Sequence, residues 1–406
     1  MAEIVVPKIE KLDQLISDHI GKDKKVIDSK ITRLTAPGDN FGSEMLKVDL
    51  RLKSTGGKEE NLHVVAKLIP ENEFARAIFN VDVSFNVEKE FYNTIVPTLQ
   101  DFQRKQGITK VIDCFPRLYG ARNNLENNGE KVDNNAALVL ENLKSQGFDN
   151  IDRFQGFDLA TAKMILKSLA EFHAIPVAIK VKDTKTFEKN IKAFMSCNFP
   201  SPPKPPVEYI FEIIYNVLQD ESYKKFIPKI QESFKKFSLL CDEFREPFAT
   251  ITHRDLWVNN IMVKQVENTT EEVKIVDFQL YSYDSPAADI FFFLFSSVNF
   301  DVLKNHVDDL FKYYQQHFQK TLKDLDCDLD FSYEKFIEEL SLATRWELAH
   351  TIFFVCFVIN GPKGGLPMPK DVNEKPDVSK IKIPDFVADR IKWILSECDR
   401  RNWLKF

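Results

Sequence analysis

Residues 252–262 read Thr-His-Arg-Asp-Leu-Trp-Val-Asn-Asn-Ile-Met, and residues 273–279 read Val-Lys-Ile-Val-Asp-Phe-Gln. In the first stretch Asp255 precedes Asn260 by five positions. In the second, a run rich in β-branched residues ends at Asp277. Valine and isoleucine favour strands. The sequence therefore predicts a polar loop and a buried strand that together present two carboxylates and one amide.

This order of residue types is the one used for phosphoryl transfer. In the protein-kinase signature, His-Arg-Asp-Leu is followed after three further residues by Asn, and then by a strand that ends in Asp-Phe-Gly. The chain matches the signature at His253, Arg254, Asp255, Leu256, Asn260, Asp277 and Phe278, with Gln279 in place of the last glycine.

The signature assigns a role to each polar group. We expect Asp255 to accept the proton of an attacking hydroxyl, and Asn260 and Asp277 to hold Mg²⁺, which prefers hard oxygen ligands. A lone His-x-Asp would fit a solvated loop equally well. The complete ordered set, with a strand leading into Asp277, favours the phosphotransferase interpretation.

Length and composition limit the other possibilities. A chain of 406 residues predicts about two domains. With 44% hydrophobic and 29% charged residues it is typical of a soluble globular protein, and a net charge of -6 argues against nucleic-acid binding. The six cysteines form no Cys-x-x-Cys pair, so neither a disulfide framework nor a zinc site is predicted.

The N-terminus is not typical of a signal peptide, and the apolar run 290–295 is too short to cross a bilayer. We expect a cytoplasmic protein that binds no membrane, and take a monomer as the default.

The N-terminal region predicts a β-hairpin beneath a phosphate-facing loop. Alternating residues from Leu46 to Leu52 indicate a half-buried strand, residues 54–57 a turn, and Leu62–Ile69 a returning strand. The preceding loop, residues 34–43, lies where kinases place a flap over the phosphates. Its position favours nucleotide contacts, although an ordinary hairpin loop would have the same composition. The residues assigned to these contacts are Asn40, Phe41 and Ser43.

Lys67 interrupts the returning strand in Val-Val-Ala-Lys-Leu, which resembles the kinase strand whose lysine holds the α- and β-phosphates. Phe85, Glu88, Tyr92 and Ile95 follow at helical spacing, which turns Glu88 inward with the aromatic residues. A carboxylate on an apolar face requires a cation. We therefore predict a Lys67–Glu88 ion pair.

The middle of the chain supplies a predicted hinge. The run 136–143 indicates a buried strand followed by a connector, where backbone groups near Glu141 and Leu143 are expected to bind adenine. His173 is interpreted as a hydrogen-bonded core histidine. Asp289 is expected either to hold the backbone of the catalytic loop, residues 252–262, or to cap the helix that begins near Asp289.

Asp289 follows Asp277 by only twelve positions, and no Ala-Pro-Glu follows. A protein-kinase activation segment is therefore absent from the sequence, which favours a small-molecule acceptor.

With these residues in place, the chain resembles the insect ecdysteroid-kinase-like family, within the choline-kinase and aminoglycoside-phosphotransferase group. The resemblance covers about residues 38–290 and rests on Gly38-Asp39-Asn40-Phe41, Phe85-x-x-Glu88-x-x-Phe91-Tyr92, Leu140-Glu141-Asn142-Leu143, Leu169-Ala170-Glu171-Phe172-His173, Asp255-Leu256-Trp257-Val258-Asn259-Asn260 and Val276-Asp277-Phe278-Gln279. Two positions depart from it: Arg254, where the family usually has Gly, and Asn142, where it usually has Asp.

The resemblance implies an α+β, two-lobed, protein-kinase-like fold. A small N-terminal lobe with an antiparallel sheet (1–141) would bind nucleotide, and a larger, mainly helical lobe (142–406) would carry out catalysis and bind the acceptor. It also implies ATP and Mg²⁺ as co-substrate and cofactor, and an alcohol as acceptor. We expect a small, apolar acceptor such as an ecdysteroid, bound by helices beyond residue 290, where Trp346 is one candidate. Choline, an aminoglycoside-like sugar or a xenobiotic glycoside are alternative acceptors. A pseudokinase that only binds ligands is the non-enzymatic alternative.

Overall fold

The computed structural model describes residues 7–34, 43–70, 73, 76, 80–126, 131–195, 208–237, 245–360 and 383–406. The predicted contacts of Asn40 and Phe41 lie outside these ranges, as do the proline-rich segment near residue 200 and the linker after Gly361. The predicted hairpin, hinge strand and C-terminal helices all lie inside them.

Among the residues described, the N-terminal lobe has one helix packed on a five-stranded antiparallel sheet with the order β1-β2-β3-β5-β4. Its elements are α1 (Leu12–Ile20), β1 (Lys24–Arg33), β2 (Glu44–Ser54), β3 (Glu59–Leu68), β4 (Leu118–Arg122) and β5 (Ala137–Glu141). Helix α1 lies so close to β4 that a Cβ atom at Gly120 would be 2.4 Å from the Leu15 carbonyl oxygen. A glycine is therefore required at position 120 for this contact.

Strand β1 was not predicted from the sequence. It forms the edge of the sheet and pairs only with β2, and most of its side chains are exposed or half-buried. Its sequence, Lys-Lys-Val-Ile-Asp-Ser-Lys-Ile-Thr-Arg, lacks the regular alternation that marks β2. Charged side chains on an edge strand discourage pairing with other molecules, and here they also hide the strand from pattern analysis.

The helix that carries Glu88 is continuous with a π-helical turn. Helix α2 (Val81–Glu90) leads into the π turn Phe91–Ile95 and then into α3 (Val96–Lys105). A π turn inserts one extra residue into an α-helix and is often found at functional sites. In this chain it follows Glu88 directly and turns Phe91 and Tyr92 into the core.

The C-terminal lobe is mainly helical. Its helices are α4 (Leu159–Lys182), α5 (Thr184–Asn190), α6 (Glu208–Val217), α7 (Glu221–Lys224), α8 (Ile227–Phe237), α9 (Pro286–Ser297), α10 (Phe300–Asp324), α11 (Tyr333–Phe354), which continues as the π turn Val355–Ile359, and α12 (Asp385–Arg400). Short strands form two small sheets, β6-β8-β9 and β10-β7. They are β6 (Phe148–Asp149), β7 (Thr250–Thr252), β8 (Ile261–Val266), β9 (Thr269–Ile275) and β10 (Ser282–Asp284).

The buried side chains form two main clusters that do not follow the predicted boundary at residue 141. The smaller cluster joins α1 to one face of the five-stranded sheet. The larger cluster fills the helical lobe and also includes α2, α3 and the other face of β5. The division of the chain into 1–141 and 142–406 therefore stays a prediction, because α2 packs with the second lobe although it precedes the boundary.

Helix α11 is a long and apolar helix. Together with its π turn it is long and apolar enough to cross a membrane by length and composition, but 67% of its most apolar window is buried inside the protein. It packs against α8 and α9. Burial of this extent is what a core helix of a globular lobe shows.

An antiparallel sheet lobe joined through β5 to a helical lobe confirms the predicted α+β, two-lobed architecture. The loop before Val258, the ends of β8 and β9, and the end of β3 all meet between the lobes, and this is where the predicted site residues are found.

Candidate active site

Lys67, Glu88 and Asp277 form one ionic cluster between the lobes. Lys67 Nζ lies 2.6 Å from Glu88 Oε2 and 2.6 Å from Asp277 Oδ1. The Lys67 and Glu88 side chains are 8% and 2% exposed, while Asp277 is 30% exposed. The sequence predicted the pair with Glu88. The contact with Asp277 was not predicted, because residues 210 positions apart share no local pattern.

The charges in this cluster depend on one another. Burial by itself lowers the pKa of Lys67, but the carboxylates of Asp277 and Glu88 outweigh burial and raise the pKa above its usual value. Lys67 therefore stays protonated throughout the physiological range. A buried, permanently charged ammonium group directed at an accessible carboxylate is suited to holding polyanionic phosphates.

Asp255 lies in the loop between β7 and β8, directly beside Asn260. Asn260 Nδ2 donates to the Asp255 carbonyl oxygen at 2.8 Å and to its carboxylate Oδ2 at 2.9 Å. Burial and the nearby Asp277 charge raise the pKa of Asp255 to about 8, and the Asn260 hydrogen bond opposes this shift. A carboxylate with a raised pKa is a stronger proton acceptor, which is the property required of a general base.

Asn260 and Asp277 lie at neighbouring strand ends. Strands β8 and β9 pair Ile261 with Ile275, and the Val276 N–H donates to the Asn260 carbonyl oxygen at 2.9 Å. Both side-chain hydrogen bonds of Asn260 use its nitrogen, which leaves oxygen Oδ1 for a cation. Asp277 binds Lys67 through Oδ1 and is partly exposed. One amide oxygen and one carboxylate form a donor set that fits Mg²⁺, whose remaining ligands would be phosphate oxygens and water.

Within the described ranges, no group of three or more His, Cys, Asp or Glu side chains is arranged to hold a metal. A dedicated protein cage for a cation is therefore not part of the described structure. The fit to Mg²⁺ depends instead on the two-ligand pair of Asn260 and Asp277. Such a site would require phosphate oxygens to complete the coordination of Mg²⁺, which is common for Mg²⁺ sites in phosphotransferases.

Asp289 holds the backbone of the catalytic loop. Its carboxylate accepts hydrogen bonds from the backbone N–H groups of His253, at 2.6 Å, and Arg254, at 3.0 Å. His173 Nε2 lies 3.1 Å from the same carboxylate, and His173 Nδ1 lies 2.8 Å from the Tyr314 hydroxyl. Although burial raises the pKa of Asp289, its contacts with His173 and His253 bring the pKa below its ordinary value. Of the two roles predicted for Asp289, the structure selects the loop-holding role, since Ser285 caps α9. His173 is buried and hydrogen-bonded, as predicted.

Arg254 has a role that the sequence did not indicate. Its Nη1 atom lies 3.0 Å from Asp284 Oδ2 and 3.0 Å from Glu347 Oε1. In protein kinases an ordered activation segment commonly pairs arginine with a phosphorylated residue, and no such segment follows Asp277. The structure supplies two ordinary carboxylates instead. Glu347 could not be found from the sequence, because it lies 93 positions away on the apolar helix α11.

Phe278 anchors the loop that carries Asp277 in the core. Its ring stacks on Phe91 with centroids 3.7 Å apart, and the rings of Phe115, Phe172 and His253 surround the pair. Next to it, Asp277 has a φ angle of 69°, a left-handed conformation that is uncommon for a residue other than glycine. The buried aromatic ring offsets the strain of the bend that turns Asp277 toward Lys67.

The predicted hinge lies beside a small apolar cluster formed by Leu143, Phe148, Met262 and partly buried Val276. This cluster is separate from both main cores and lies between the hinge and the end of β9. Flat apolar surfaces on a connector of this kind suit an adenine ring. The Glu141 backbone N–H already donates to the Arg117 carbonyl oxygen, and its side chain accepts from Gln146 and Arg117.

Other predicted positions receive less support. Ser43 immediately precedes β2 and is half-buried, and the structure gives it no contact that identifies a ligand. Trp346 is partly buried on α11 and packs against the large core. The structure also shows that the ring of Trp257, two residues after Asp255, packs edge-on against Phe354 of α11 with centroids 5.0 Å apart. Only the spacing of Trp257 from Asp255 could have suggested this position from the sequence.

The two-lobed fold and the ordered set of Lys67, Glu88, Asp255, Asn260 and Asp277 define a small-molecule phosphotransferase that acts on hydroxyl groups. The model of the ecdysteroid kinase-like family matches residues 37–327, which is well over half of the chain. The chain therefore belongs to the ecdysteroid kinase-like family. No curated protein sequence gives a significant match.

Several solved kinase structures are similar to the chain at low identity. The Plasmodium vivax ethanolamine kinase is 10% identical with a TM-score of 0.43, covering 92% of this chain and 83% of its own. The Cryptosporidium parvum choline kinase is 12% identical with a TM-score of 0.40, covering 93% and 91%. The GDP complex of wild-type aminoglycoside 2'-phosphotransferase-IIIa is 12% identical with a TM-score of 0.39, covering 96% and 97%.

Proposed function

We propose that this protein transfers the γ-phosphoryl group of ATP to a hydroxyl group on a small, uncharged and largely apolar molecule, such as an ecdysteroid. The observation that carries the proposal is the convergence of Lys67, Asp255, Asn260 and Asp277 in one cleft, with Lys67 held by two carboxylates at 2.6 Å. A pseudokinase typically lacks at least one of these groups, so their presence argues against a module that only binds ligands.

Asp255 is the residue that meets the acceptor. Its raised pKa makes its carboxylate a good proton acceptor, and the two hydrogen bonds from Asn260 fix its orientation. Transfer proceeds through a loose transition state, so most of the rate enhancement comes from placing the hydroxyl in line with the γ-phosphoryl group. Asp255 holds that hydroxyl and takes its proton as the new O–P bond forms and the bond between the γ-phosphorus and the bridging oxygen of ADP breaks.

The nucleotide is held from the other side of the cleft. Lys67 binds the α- and β-phosphates, and Glu88 keeps the ammonium group in place from helix α2. Asn260 and Asp277 would hold Mg²⁺, which when bound neutralises phosphate charge. Asp277 contacts Lys67 through Oδ1, and its second carboxylate oxygen would be available to the cation when phosphates also bind Lys67. The adenine ring is placed against Leu143, Phe148, Met262 and Val276.

The charges around Asp255 favour an uncharged acceptor. A cationic acceptor would require unpaired carboxylates and exposed aromatic faces. Asp284 and Glu347 are both bound to Arg254, and Glu339 is bound to Arg245 at 2.8 Å. Two apolar side chains follow the acidic site residues in the chain: Leu280, after Asp277, is 36% exposed, and Trp257, after Asp255, is half-buried against Phe354. Apolar side chains of this kind suit a steroid-like alcohol.

The test is Mg-ATP-dependent phosphorylation of a mixed panel of ecdysteroids, choline, aminoglycosides and phenolic glycosides. Asp255→Asn is assayed beside the native protein, because it keeps the shape of the side chain and removes the base. We expect a phosphorylated product from the native protein with an uncharged acceptor, and a rate lower by about 10²- to 10⁴-fold for the variant.

Three results would contradict the proposal. Efficient phosphorylation of choline or an aminoglycoside, with none of the uncharged alcohols, would refute the assignment of the acceptor. Absence of product together with absence of Mg-ATP binding would refute the kinase itself. Equal rates for Asp255→Asn and the native protein would show that another group receives the proton.

A further inference from the structure

Arg254 has a backbone conformation that arginine rarely adopts. Its φ angle is 69°, in the left-handed region where the Cβ atom is crowded. A non-glycine residue is strained in this conformation and persists there only when its surroundings hold it. Here the backbone N–H is held by Asp289 at 3.0 Å, and the side chain is held by two further carboxylates.

These two carboxylates belong to separate structural elements. Asp284 ends β10, and Glu347 lies on α11, 93 residues from Arg254. All three side chains are nearly buried, with exposures of 10% for Arg254, 14% for Asp284 and 2% for Glu347. His350, one turn further along α11, lies 2.9 Å from the other Glu347 oxygen and stacks on Phe292 at 4.3 Å. Glu347 is therefore fixed in place on its own helix.

The catalytic loop is thus attached to α11 at two points. Arg254 binds Glu347 on one side of Asp255, and the Trp257 ring packs on Phe354 on the other. Glu347, His350 and Phe354 are spaced at intervals of three and four residues, so they lie on one face of the helix. That face is the one directed at the loop.

We propose that Arg254 is a positioning residue that fastens the catalytic loop to α11 and β10, so that Asp255 is held ready for the acceptor by unmodified carboxylates. The proposal rests on the proposed function, since it takes Asp255 as the group that meets the hydroxyl. Aspartate and glutamate carry their charge as synthesised, whereas an arginine-binding phosphate must be added. The loop is therefore assembled without any covalent modification.

The decisive variant combines Arg254→Gly, Asp284→Asn and Glu347→Gln. Arg254→Gly alone relieves the left-handed strain but leaves two nearly buried carboxylates without their cation, which would destabilise the protein and obscure the result. The triple variant removes the clamp and leaves no uncompensated charge. We expect its melting temperature to stay near that of the native protein. Its kcat should fall about 10- to 100-fold, with the KM for Mg-ATP within about twofold, because only the alignment of Asp255 is lost.

A second readout needs no acceptor. Hydrogen exchange of the backbone amides in residues 252–260 should be at least about tenfold faster in the triple variant, while β5 exchanges at the native rate. Arg254→Lys should recover only part of kcat, because an ammonium group lacks the fork that binds two carboxylates at once. Phosphatase treatment of the native protein should leave its kcat unchanged.

The matched control is Arg401→Gly with Asp308→Asn and Glu397→Gln. Arg401 also has a 10% exposed side chain between two carboxylates, 2.6 Å from Asp308 and 2.7 Å from Glu397, but it joins α10 to α12 and does not involve the catalytic loop. It should leave both kcat and loop exchange at native values. Native loop exchange in the triple variant, or a fall in kcat after phosphatase treatment, overturns the proposal. If the native protein turns over no acceptor, the proposed function fails, and the exchange measurement still decides whether Arg254 holds the loop.

Discussion

Two ionic clusters flank Asp255, and each places one long cation between two carboxylates. On the small-lobe side Lys67 lies 2.6 Å from both Glu88 and Asp277. On the large-lobe side Arg254 lies 3.0 Å from both Asp284 and Glu347. The clusters differ in exposure: Asp277 is 30% exposed toward the cleft, whereas the three side chains of the second cluster are all below 15%.

This difference in exposure indicates different roles: the Lys67 cluster is suited to bind a ligand, and the Arg254 cluster is suited to stabilise the structure. Lys67 is an ammonium point charge that can rotate from one anion to another, which suits a group that must exchange Asp277 for phosphate. Arg254 is a rigid planar fork that holds two partners in fixed geometry. The chain therefore uses lysine where the partner has to change and arginine where it has to stay. The predictions below test this division, beginning with the largest effect.

Asp277→Ala should abolish Mg²⁺-dependent turnover, with a loss of at least about 10³-fold in kcat, because both a metal ligand and a partner of Lys67 are removed. The measurement is steady-state kinetics across a Mg²⁺ titration, with circular dichroism to verify the fold. Glu272→Ala on the same strand, where Glu272 pairs with exposed Lys264, is the control and should keep native kinetics. Mg²⁺-dependent turnover that survives in Asp277→Ala would refute the assignment of the metal site.

Lys67→Met should lower kcat/KM for Mg-ATP by about 10²-fold, because the phosphates lose their cation. It should also lower the melting temperature, since Glu88 is left buried without a partner. Lys47→Met on neighbouring β2 removes an exposed lysine of similar size and should change neither quantity. The combination Lys67→Met with Glu88→Gln should recover stability but not activity. Recovery of both would show that the cluster only stabilises the fold.

Glu347→Gln should reduce kcat by roughly tenfold and leave the KM for Mg-ATP unchanged, because one arm of the Arg254 fork is lost while Asp284 still holds the other. This pattern is the reverse of that expected for Lys67→Met, in which the KM for Mg-ATP rises. Glu338→Gln, on the exposed face of the same helix, is the control. A rise in the KM for Mg-ATP in Glu347→Gln would mean that the two clusters are not functionally separate.

Asp284→Asn should have the smallest effect, which concerns the pH dependence of stability. Burial raises the pKa of Asp284 from 3.8 to about 6 against the opposing charge of Arg254, with Glu347 and Asp289 adding to the rise. At a pH between 3.8 and about 6, Asp284 binds a proton in the folded protein but not in the unfolded chain. The contribution of Asp284 to stability is therefore present at low pH and is lost as the pH rises through about 6.

The measurement is the melting temperature of both proteins from pH 4 to 8. Relative to Asp284→Asn, the native protein should gain stability on acidification by on the order of 1–3 kcal/mol. Only the difference between the two proteins is informative, because it isolates the contribution of Asp284. A difference in melting temperature that stays constant across the range would mean that burial does not raise the pKa of Asp284.

The sequence predicted the first cluster far better than the second. Lys67 lies in a strand and Glu88 in a helix whose periodicity shows the direction of the side chain, and Asp277 follows a strand. Each of the three belongs to a known catalytic pattern. The partners of Arg254 could not be predicted from sequence periodicity. Glu347 belongs to a helix with apolar residues on most sides, so periodicity assigns it no direction, and its contact depends on how α11 packs against the loop.

The same limit explains the other omissions. Edge strand β1 carries too many charged residues for alternation to be visible, and the π turn after Glu88 changes the helical phase without any sequence signal such as proline or glycine within it. The contact between Lys67 and Asp277 joins residues 210 positions apart. Local periodicity therefore predicted the elements and the directions of their side chains, whereas contacts between distant elements required the three-dimensional packing.

The stacking of Phe91 on Phe278 at 3.7 Å has a mechanical consequence. It fixes the helix that carries Glu88 to the large lobe, while Lys67 belongs to the sheet whose outer face packs with α1 in a separate core. A rocking movement of the sheet would carry Lys67 and leave Glu88 behind. The distance between the Lys67 and Glu88 side chains would therefore report the opening of the cleft, and it would increase when the product nucleotide is released.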